Sequence, residues 1–86
     1  MAEQLVEELR HFITSDILFG RDDLVIGDDA PLFDEGLVDS VGLMRLVAYL
    51  EEHYRLAIGD EELMPENFGT IARLAAFVAQ KLREGG

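Results

Sequence analysis

The chain of 86 residues contains no cysteine, only two prolines, and 7 basic residues against 18 acidic ones. The absence of cysteine excludes a disulfide framework and thiolate metal sites, and it leaves the polypeptide without a sulfur nucleophile. No apolar run approaches the roughly 18 residues that a membrane-spanning helix needs. The start Met1-Ala2-Glu3-Gln4 also lacks the basic residues of a secretory signal. We therefore expect a cytoplasmic protein that does not insert into membranes.

The shortage of basic residues gives the chain a formal net charge of −11. Nucleic-acid backbones and anionic membrane surfaces would repel such a protein at ordinary salt concentrations, so we expect no nucleic-acid partner. Basic protein surfaces are the natural partners. The charge could also serve solubility alone.

The length favours one domain spanning residues 1–86, which would bury about 60–65% of the surface of its unfolded chain. Apolar residues at helical spacing predict a first helix from about Glu3 to Leu18, which Gly20 would end. The inward-facing residues of this helix are Leu5, Leu9, Phe12, Ile13 and Ile17.

Residues 21–39 are rich in Asp and Gly and contain Pro31, which predicts an extended loop. The run Leu24-Val25-Ile26 could indicate a strand, but three residues with no visible partner strand form no sheet. A two-turn helical piece inside the loop stays open. So long a loop needs anchoring to the bundle. Its candidate anchors are Leu24, Val25, Ile26, Leu32, Phe33 and Leu37.

Three further helices are predicted. The second runs from Ser40 or Val41 to about Tyr54, residues 59–64 form a short third helix closed by Pro65, and the last begins near Thr70, a good N-cap. The inward face of the last helix carries Ile71, Leu74, Ala75, Phe77, Val78 and Leu82. Such helices enclose one core only by packing together, so the predicted fold is an all-α four-helix bundle of three longer helices and one short one, with a long loop between helices 1 and 2.

Ser40 stands where the long loop meets the second helix. Serine is a preferred N-cap residue, so one interpretation is that Ser40 only caps this helix. The other is an exposed hydroxyl that can be modified on a firm scaffold. An apolar stripe at helical spacing follows it, consisting of Leu43, Leu46, Val47, Leu50 and Tyr54. Three further residues, Val41, Met44 and Ala48, fall on a different face.

Four consecutive blocks carry a family resemblance. Residues 39–52 (DSVGLMRLVAYLEE) resemble the phosphopantetheine attachment region of acyl and peptidyl carrier proteins. Ahead of them, residues 32–39 (LFDEGLVD) are similar to the family's loop before its aspartate-serine pair. Behind them, residues 54–58 (YRLAI) resemble the end of the family's second helix, and residues 65–71 (PENFGTI) the start of its last helix. The blocks follow in order at the expected separations.

The resemblance implies a non-enzymatic shuttle. The Ser40 hydroxyl would carry a covalent 4′-phosphopantetheine taken from coenzyme A, and acyl or aminoacyl cargo would be held on its thiol as a thioester. The implied partners are a phosphopantetheinyl transferase, an acyl- or aminoacyl-loading ligase, and a downstream transferase or synthase. The family's helix-bundle fold agrees with the predicted one, and we expect a monomer.

The surface beside Ser40 is the predicted docking site for these enzymes. We expect five residues to take part, namely Asp39, Val41, Met44, Arg45 and Ala48. An exposed methionine suits unlike partners because its side chain adapts its shape. Two residues depart from the family pattern: Val41 replaces the more frequent leucine, and Arg45 is a cation where fatty-acid carriers tend to place carboxylates. Arg45 therefore favours a dedicated pathway for amino acids, polyketides or non-ribosomal peptides.

Other interpretations remain. A small acidic helical adaptor could bind partners through the same residues without a prosthetic group. Ser40 does not fit the role of a hydrolase nucleophile, because residues 38–42 lack the leading glycine of a nucleophile elbow and 86 residues leave no room for the accompanying sheet. We expect no metal site, since His11 and His53 lack metal-ligand spacing and no acidic cluster matches the calcium-binding loop.

Overall fold

The computed structural model describes residues 2–17, 27–33 and 38–85. Helix α1 spans Ala2–Phe12 and continues as a π-helical turn over Ile13–Ile17. Helix α2 spans Ser40–His53, a 3₁₀ turn spans Asp60–Glu62, helix α3 spans Pro65–Phe68, and helix α4 spans Ile71–Arg83. No strand occurs in these residues. The predicted all-α bundle of three longer helices and one short one is confirmed.

The first helix changes its winding where it contacts the rest of the bundle. Leu9, Ile13 and Ile17 are all buried, although a spacing of four residues drifts by about 40° per step around an α-helix. A π turn takes more residues per revolution and cancels this drift. The predicted helix therefore exists through Ile17, but it is π-helical over Ile13–Ile17. Its predicted end at Leu18 and Gly20 lies outside the described residues.

The predicted inward stripe of α2 is buried at its centre. Leu46 and Leu50 are fully inaccessible to solvent, and Val47 is nearly so. Leu43 and Tyr54 are half-buried at the two ends of the stripe. The Tyr54 hydroxyl donates a hydrogen bond to Glu8 Oε1 (2.5 Å), which joins the end of α2 to α1. Burial, followed by this hydrogen bond, raises the pKa of the Tyr54 phenol far above its ordinary value.

The described part of the predicted loop is fastened to the end of α3 and the start of α4. Leu32 is fully buried, and its N–H donates to the Gly69 carbonyl (2.9 Å). The Ala72 N–H donates to the Asp28 carbonyl (2.9 Å), so the loop also satisfies an amide in the first turn of α4. Leu32 is thus confirmed as an anchor. Phe33, another predicted anchor, is half-buried against the core. The remaining candidate anchors, Leu24, Val25, Ile26 and Leu37, lie outside the described residues.

The prediction for Pro65 is wrong. Residues 59–64 do not form a continuous short helix that Pro65 closes; the 3₁₀ turn covers only Asp60–Glu62, and Pro65 is the first residue of α3. Proline is well suited to that position, because its fixed φ matches the helix and its missing N–H would have no partner there. The 3₁₀ turn is held by Glu62, which accepts hydrogen bonds from the Gly59 N–H and from Lys81 Nζ. These bonds lower the pKa of the Glu62 carboxyl.

Helix α4 buries all of its predicted inward face except the last residue. Leu82 is 45% exposed, whereas we predicted it to be buried. It lies in the final turn, where it lines an open cavity beside Leu5 and Tyr54 instead of packing into the core. Thr70 caps the helix as predicted, because its hydroxyl oxygen accepts a hydrogen bond from the Arg73 N–H (3.1 Å). In the part of the chain that the structure describes, no helix is long and apolar enough to cross a bilayer.

Arg55, two residues after the last residue of α2, has a left-handed backbone conformation with φ of 58°. That conformation costs roughly 1–2 kcal/mol for a residue with a Cβ, and glycine adopts it without this cost. Part of the gain is lost, because glycine has more conformational entropy in the unfolded chain. We expect Arg55→Gly to raise the free energy of unfolding by about 0.5–1 kcal/mol in urea denaturation. Ala76→Gly, on the exposed face of α4, should lower it by about 1 kcal/mol. A loss of stability in Arg55→Gly would contradict this account.

Candidate functional site

The candidate site is the first turn of α2. Asp39 is its N-cap, with an extended backbone (φ −101°, ψ −171°) and a side-chain Oδ1 that accepts a hydrogen bond from the Gly42 N–H (2.8 Å). Ser40 follows as the first helical residue, and its side chain is exposed. The interpretation in which Ser40 caps the helix is therefore wrong, because the aspartate before it performs that role.

The capping by Asp39 determines what Ser40 can do chemically. Among the described residues, the Ser40 hydroxyl has no hydrogen-bond partner. It stands at a helix start, where amides without intrahelical partners and the helix dipole favour negative charge. A phosphate ester on Ser40 would therefore be placed in a favourable field. The residues present fit a phosphate-linked group.

Beside Ser40, α2 carries an exposed apolar strip, which consists of Val41, Met44 and Ala48. The side chain of Val41 is 68% exposed and that of Met44 is 59% exposed. Ala48 is exposed one turn further along. The strip lies on the opposite side of α2 from the buried Leu46 and Leu50, so it contributes nothing to the core.

Arg45 is exposed and joins α2 to the π turn. Its Nη1 donates a hydrogen bond to the Asp16 carbonyl oxygen (2.9 Å). The predicted part of Arg45 in docking stays a prediction. A guanidinium has five N–H donors, so the bond to Asp16 is compatible with a further acceptor.

The acidic surroundings of Ser40 are only partly described. Asp39 is exposed beside it, while Asp34 and Glu35 lie outside the described residues. Glu51 and Glu52 are exposed near the far end of α2, and Glu51 Oε2 accepts a hydrogen bond from the Ile58 N–H (3.0 Å). Within the described ranges no group of three or more His, Asp or Glu side chains could hold a metal ion.

A cavity of about 480 Å³ lies on the other side of the first turn, between α2 and α3. Leu43, which is one helical turn from Ser40, lines this cavity. Its apolar lining includes Phe33, Leu43, Leu63 and Phe68, and its polar lining includes Glu66, Thr70 and Arg73. Ser40 is thus flanked by an exposed strip on one side and an open cavity on the other.

Gly42 is the residue of this site that sequence reasoning missed. It is buried in the first turn of α2, where its backbone contacts the π turn closely. A glycine inside an otherwise amphipathic helix is a signal for such close packing, because glycine costs about 1 kcal/mol relative to alanine there. The sequence contains that signal, but the residue that Gly42 contacts could not be inferred from it.

Comparisons with known proteins show the family of the chain. The family described as "Phosphopantetheine attachment site" matches residues 18–78. The chain is 33% identical over 79 residues to a probable acyl carrier protein, PigG, of Serratia sp., and the match covers 92% of this chain and 88% of that protein. It is 30% identical over 82 residues to the D-alanyl carrier protein of Abiotrophia defectiva, covering 95% of this chain and 96% of that protein.

A solved structure supports the same fold. One chain of a structure titled "Crystal structure of FAD-dependent dehydrogenase" is 37% identical, with a TM-score of 0.71, and the match covers 81% of this chain and 97% of that one. The family match spans most of the present chain, and it includes α2, α3 and the intervening 3₁₀ turn. The chain therefore belongs to the phosphopantetheine-binding carrier proteins, which hold acyl or aminoacyl groups on a covalently attached 4′-phosphopantetheine and interact with biosynthetic enzymes.

Proposed function

We propose that the hydroxyl of Ser40 is the attachment point of the phosphopantetheine. One observation carries the proposal: Ser40 is the only serine within the matched residues 18–78, and its side chain is exposed at the start of a helix. The other serine of the chain, Ser15, lies outside the match. The hydroxyl of Thr70, which lies inside it, is engaged in capping α4.

The attachment is a phosphoryl transfer to Ser40. The Ser40 oxygen forms a bond to the phosphorus next to the pantetheine part of coenzyme A, and the bond from that phosphorus to the bridging diphosphate oxygen breaks. The adenosine bisphosphate leaves with that oxygen, and a base of the transferase takes the serine proton. The Asp39 carboxylate is engaged with the Gly42 N–H, which keeps it in place beside the new phosphodiester. Once bound, the arm supplies the thiol that this cysteine-free chain lacks.

Residues 1–86 would act as one non-catalytic, monomeric carrier domain that works beside cytoplasmic enzymes. Its partners would be a phosphopantetheinyl transferase, a loading ligase, and a downstream transferase or synthase. The proposed docking surface is the apolar strip with Asp39 and Arg45 beside it. Central apolar contacts with charged neighbours are the usual anatomy of a transient interface.

Substitution of Met44 tests the docking surface. We expect Met44→Glu to lower kcat/KM for phosphopantetheine transfer about tenfold, mainly through KM, because a carboxylate must then be desolvated where an apolar contact was made. Leu82→Glu places the same charge at a similarly exposed apolar position on α4 and should leave the rate unchanged. Equal rates for wild type and Met44→Glu would remove this residue from the docking surface.

The cargo we propose is a small acyl or aminoacyl group. One relative is named an acyl carrier and the other a D-alanyl carrier. The cation Arg45, which lies near Ser40 where fatty-acid carriers tend to have carboxylates, supports a dedicated pathway.

Because a similar solved chain comes from a structure titled as a FAD-dependent dehydrogenase, such an enzyme is a candidate downstream partner. Loss of flavin absorbance with the aminoacyl-loaded chain, but not with the unloaded one, would support that partner, and no difference would contradict it.

Intact-mass spectrometry distinguishes the carrier from the adaptor. The purified chain is incubated with coenzyme A and a phosphopantetheinyl transferase, and the product should gain the mass of one phosphopantetheine. An adaptor that only binds proteins would gain nothing. Failure with several competent transferases would contradict the proposed attachment.

A further inference from the structure

Gly42 lies at the closest contact between α2 and the π turn. A Cβ built on Gly42 would lie 2.9 Å from Ile17 Cγ2, 3.0 Å from Val38 Cγ1 and 3.4 Å from Asp39 Oδ1. Carbon atoms in ordinary contact are about 3.5–4.0 Å apart. A side chain at position 42 would therefore force a displacement of about 0.5–1 Å between the first turn of α2 and its neighbours.

The two neighbours have little freedom to make room. Ile17 and Val38 are 7% and 2% exposed, so their side chains are enclosed by the core. Both are β-branched, and the atoms nearest to Gly42 are attached directly to their Cβ atoms, so no distant torsion can move them away. The strain would instead be relieved by a shift of backbone, either in the π turn or in the first turn of α2.

A second contact joins the same two segments one helical turn further on. Arg45, three residues after Gly42, donates its hydrogen bond to the carbonyl of Asp16, which precedes Ile17. Close packing at Gly42 and a hydrogen bond at Arg45 thus hold the start of α2 against the π turn Ile13–Ile17 at two points. Ser40 lies in the first turn, only two residues before Gly42, so any shift there also displaces its hydroxyl.

We propose that Gly42 is a positioning residue for the modification of Ser40. Its missing side chain lets the first turn of α2 pack directly on Ile17, and this packing determines where the Ser40 hydroxyl and the Asp39 cap stand. The proposal rests on the proposed function, in which Ser40 is the attachment point. It assigns Gly42 a role in the geometry of the reaction rather than in the stability of the bundle alone.

The first test measures the rate of modification of folded Gly42→Ala. Alanine is the better helix former, but it cannot fit without a shift, and misplacement of a reacting group by about 1 Å can cost a hundredfold in rate. We expect kcat for phosphopantetheine transfer to fall about ten- to a hundredfold at a temperature well below the melting transition. Gly27→Ala is the matched control, because nothing lies within 4 Å of a Cβ at that exposed position, and it should react like wild type.

Two further variants separate positioning from stability. Ile17→Leu removes the β-branch methyl that comes closest to position 42 at nearly constant volume, so the double variant Gly42→Ala/Ile17→Leu should recover most of the rate. Val78→Ala destabilises the core from α4 and should keep the wild-type kcat despite a lower melting temperature.

The outcomes are distinct. If wild type is never modified at Ser40, the proposed function fails and this inference fails with it. If wild type is modified and Gly42→Ala reacts equally fast, only the positioning role of Gly42 is overturned. The positioning role is also overturned if Val78→Ala loses as much kcat as Gly42→Ala. It is likewise overturned if the double variant Gly42→Ala/Ile17→Leu recovers none of the lost kcat.

Discussion

Ser40→Ala should give a folded chain that takes up no phosphopantetheine at all. The expected loss is complete because the substitution removes the only oxygen that we assign as the attachment point, and no neighbouring group can replace it. Folding should be preserved because the Ser40 side chain is exposed and Asp39, not Ser40, caps α2. Intact mass after incubation with coenzyme A and a transferase measures uptake, and the melting temperature measures folding.

The chain offers a matched control for this experiment. Ser15 is the only other serine and is likewise exposed, but it lies in the π turn instead of at a helix start. Ser15→Ala should therefore be modified fully, and the modified peptide of wild type should contain Ser40. Modification of Ser40→Ala, or its loss in Ser15→Ala, would place the attachment elsewhere in the chain.

Leu32→Ala should be the most destabilising of the substitutions considered. Leu32 is fully buried, and both of its backbone groups form hydrogen bonds: its N–H donates to the distant Gly69 carbonyl, and its carbonyl accepts from the nearby Val38 N–H (both 2.9 Å). Truncation of a buried leucine costs about 2–5 kcal/mol. A domain of this length has a total stability of roughly 4–13 kcal/mol, so a large part of it would be lost.

Thermal unfolding measures this loss. We expect the melting temperature of Leu32→Ala to fall by at least about 8 °C, because each kcal/mol shifts it by about 4–8 °C in a domain of this size. Leu82→Ala removes the same atoms from a side chain that is 45% exposed and should cost less than about 1 kcal/mol. Comparable losses in the two variants would show that Leu32 does not anchor its segment.

Agreement between sequence and structure is best where a pattern is local. The apolar stripe of α2, the Thr70 cap of α4 and the exposure of Met44 all follow from spacing along one helix or from the chemistry of one residue. The resemblance to carrier proteins rested on contiguous blocks and led to the family and its cofactor. The roles of Ser40 and of the docking surface also follow from that resemblance, and they stay predictions.

The differences occur where remote residues meet. Pro65 is compatible with either the end or the start of a helix, and the choice depends on how α3 packs against α4. Leu82 continues the apolar spacing of α4, but the buried part of that helix ends at Val78. Which of Asp39 and Ser40 caps α2 depends on the path by which the preceding loop reaches the helix, since both residue types can cap.

By itself, the amino-acid sequence determined the helices, most of the buried face of each, and the family of the protein, because each of these depends on residues that are close neighbours along the chain. Only the tertiary structure decided that the first helix is π-helical over Ile13–Ile17, that Leu32 fastens its loop to Gly69, and that Gly42 packs against Ile17. The two contacts join residues that are 25 or more positions apart along the chain. A local pattern contains no information about such distances, so they become visible only when the segments are packed together.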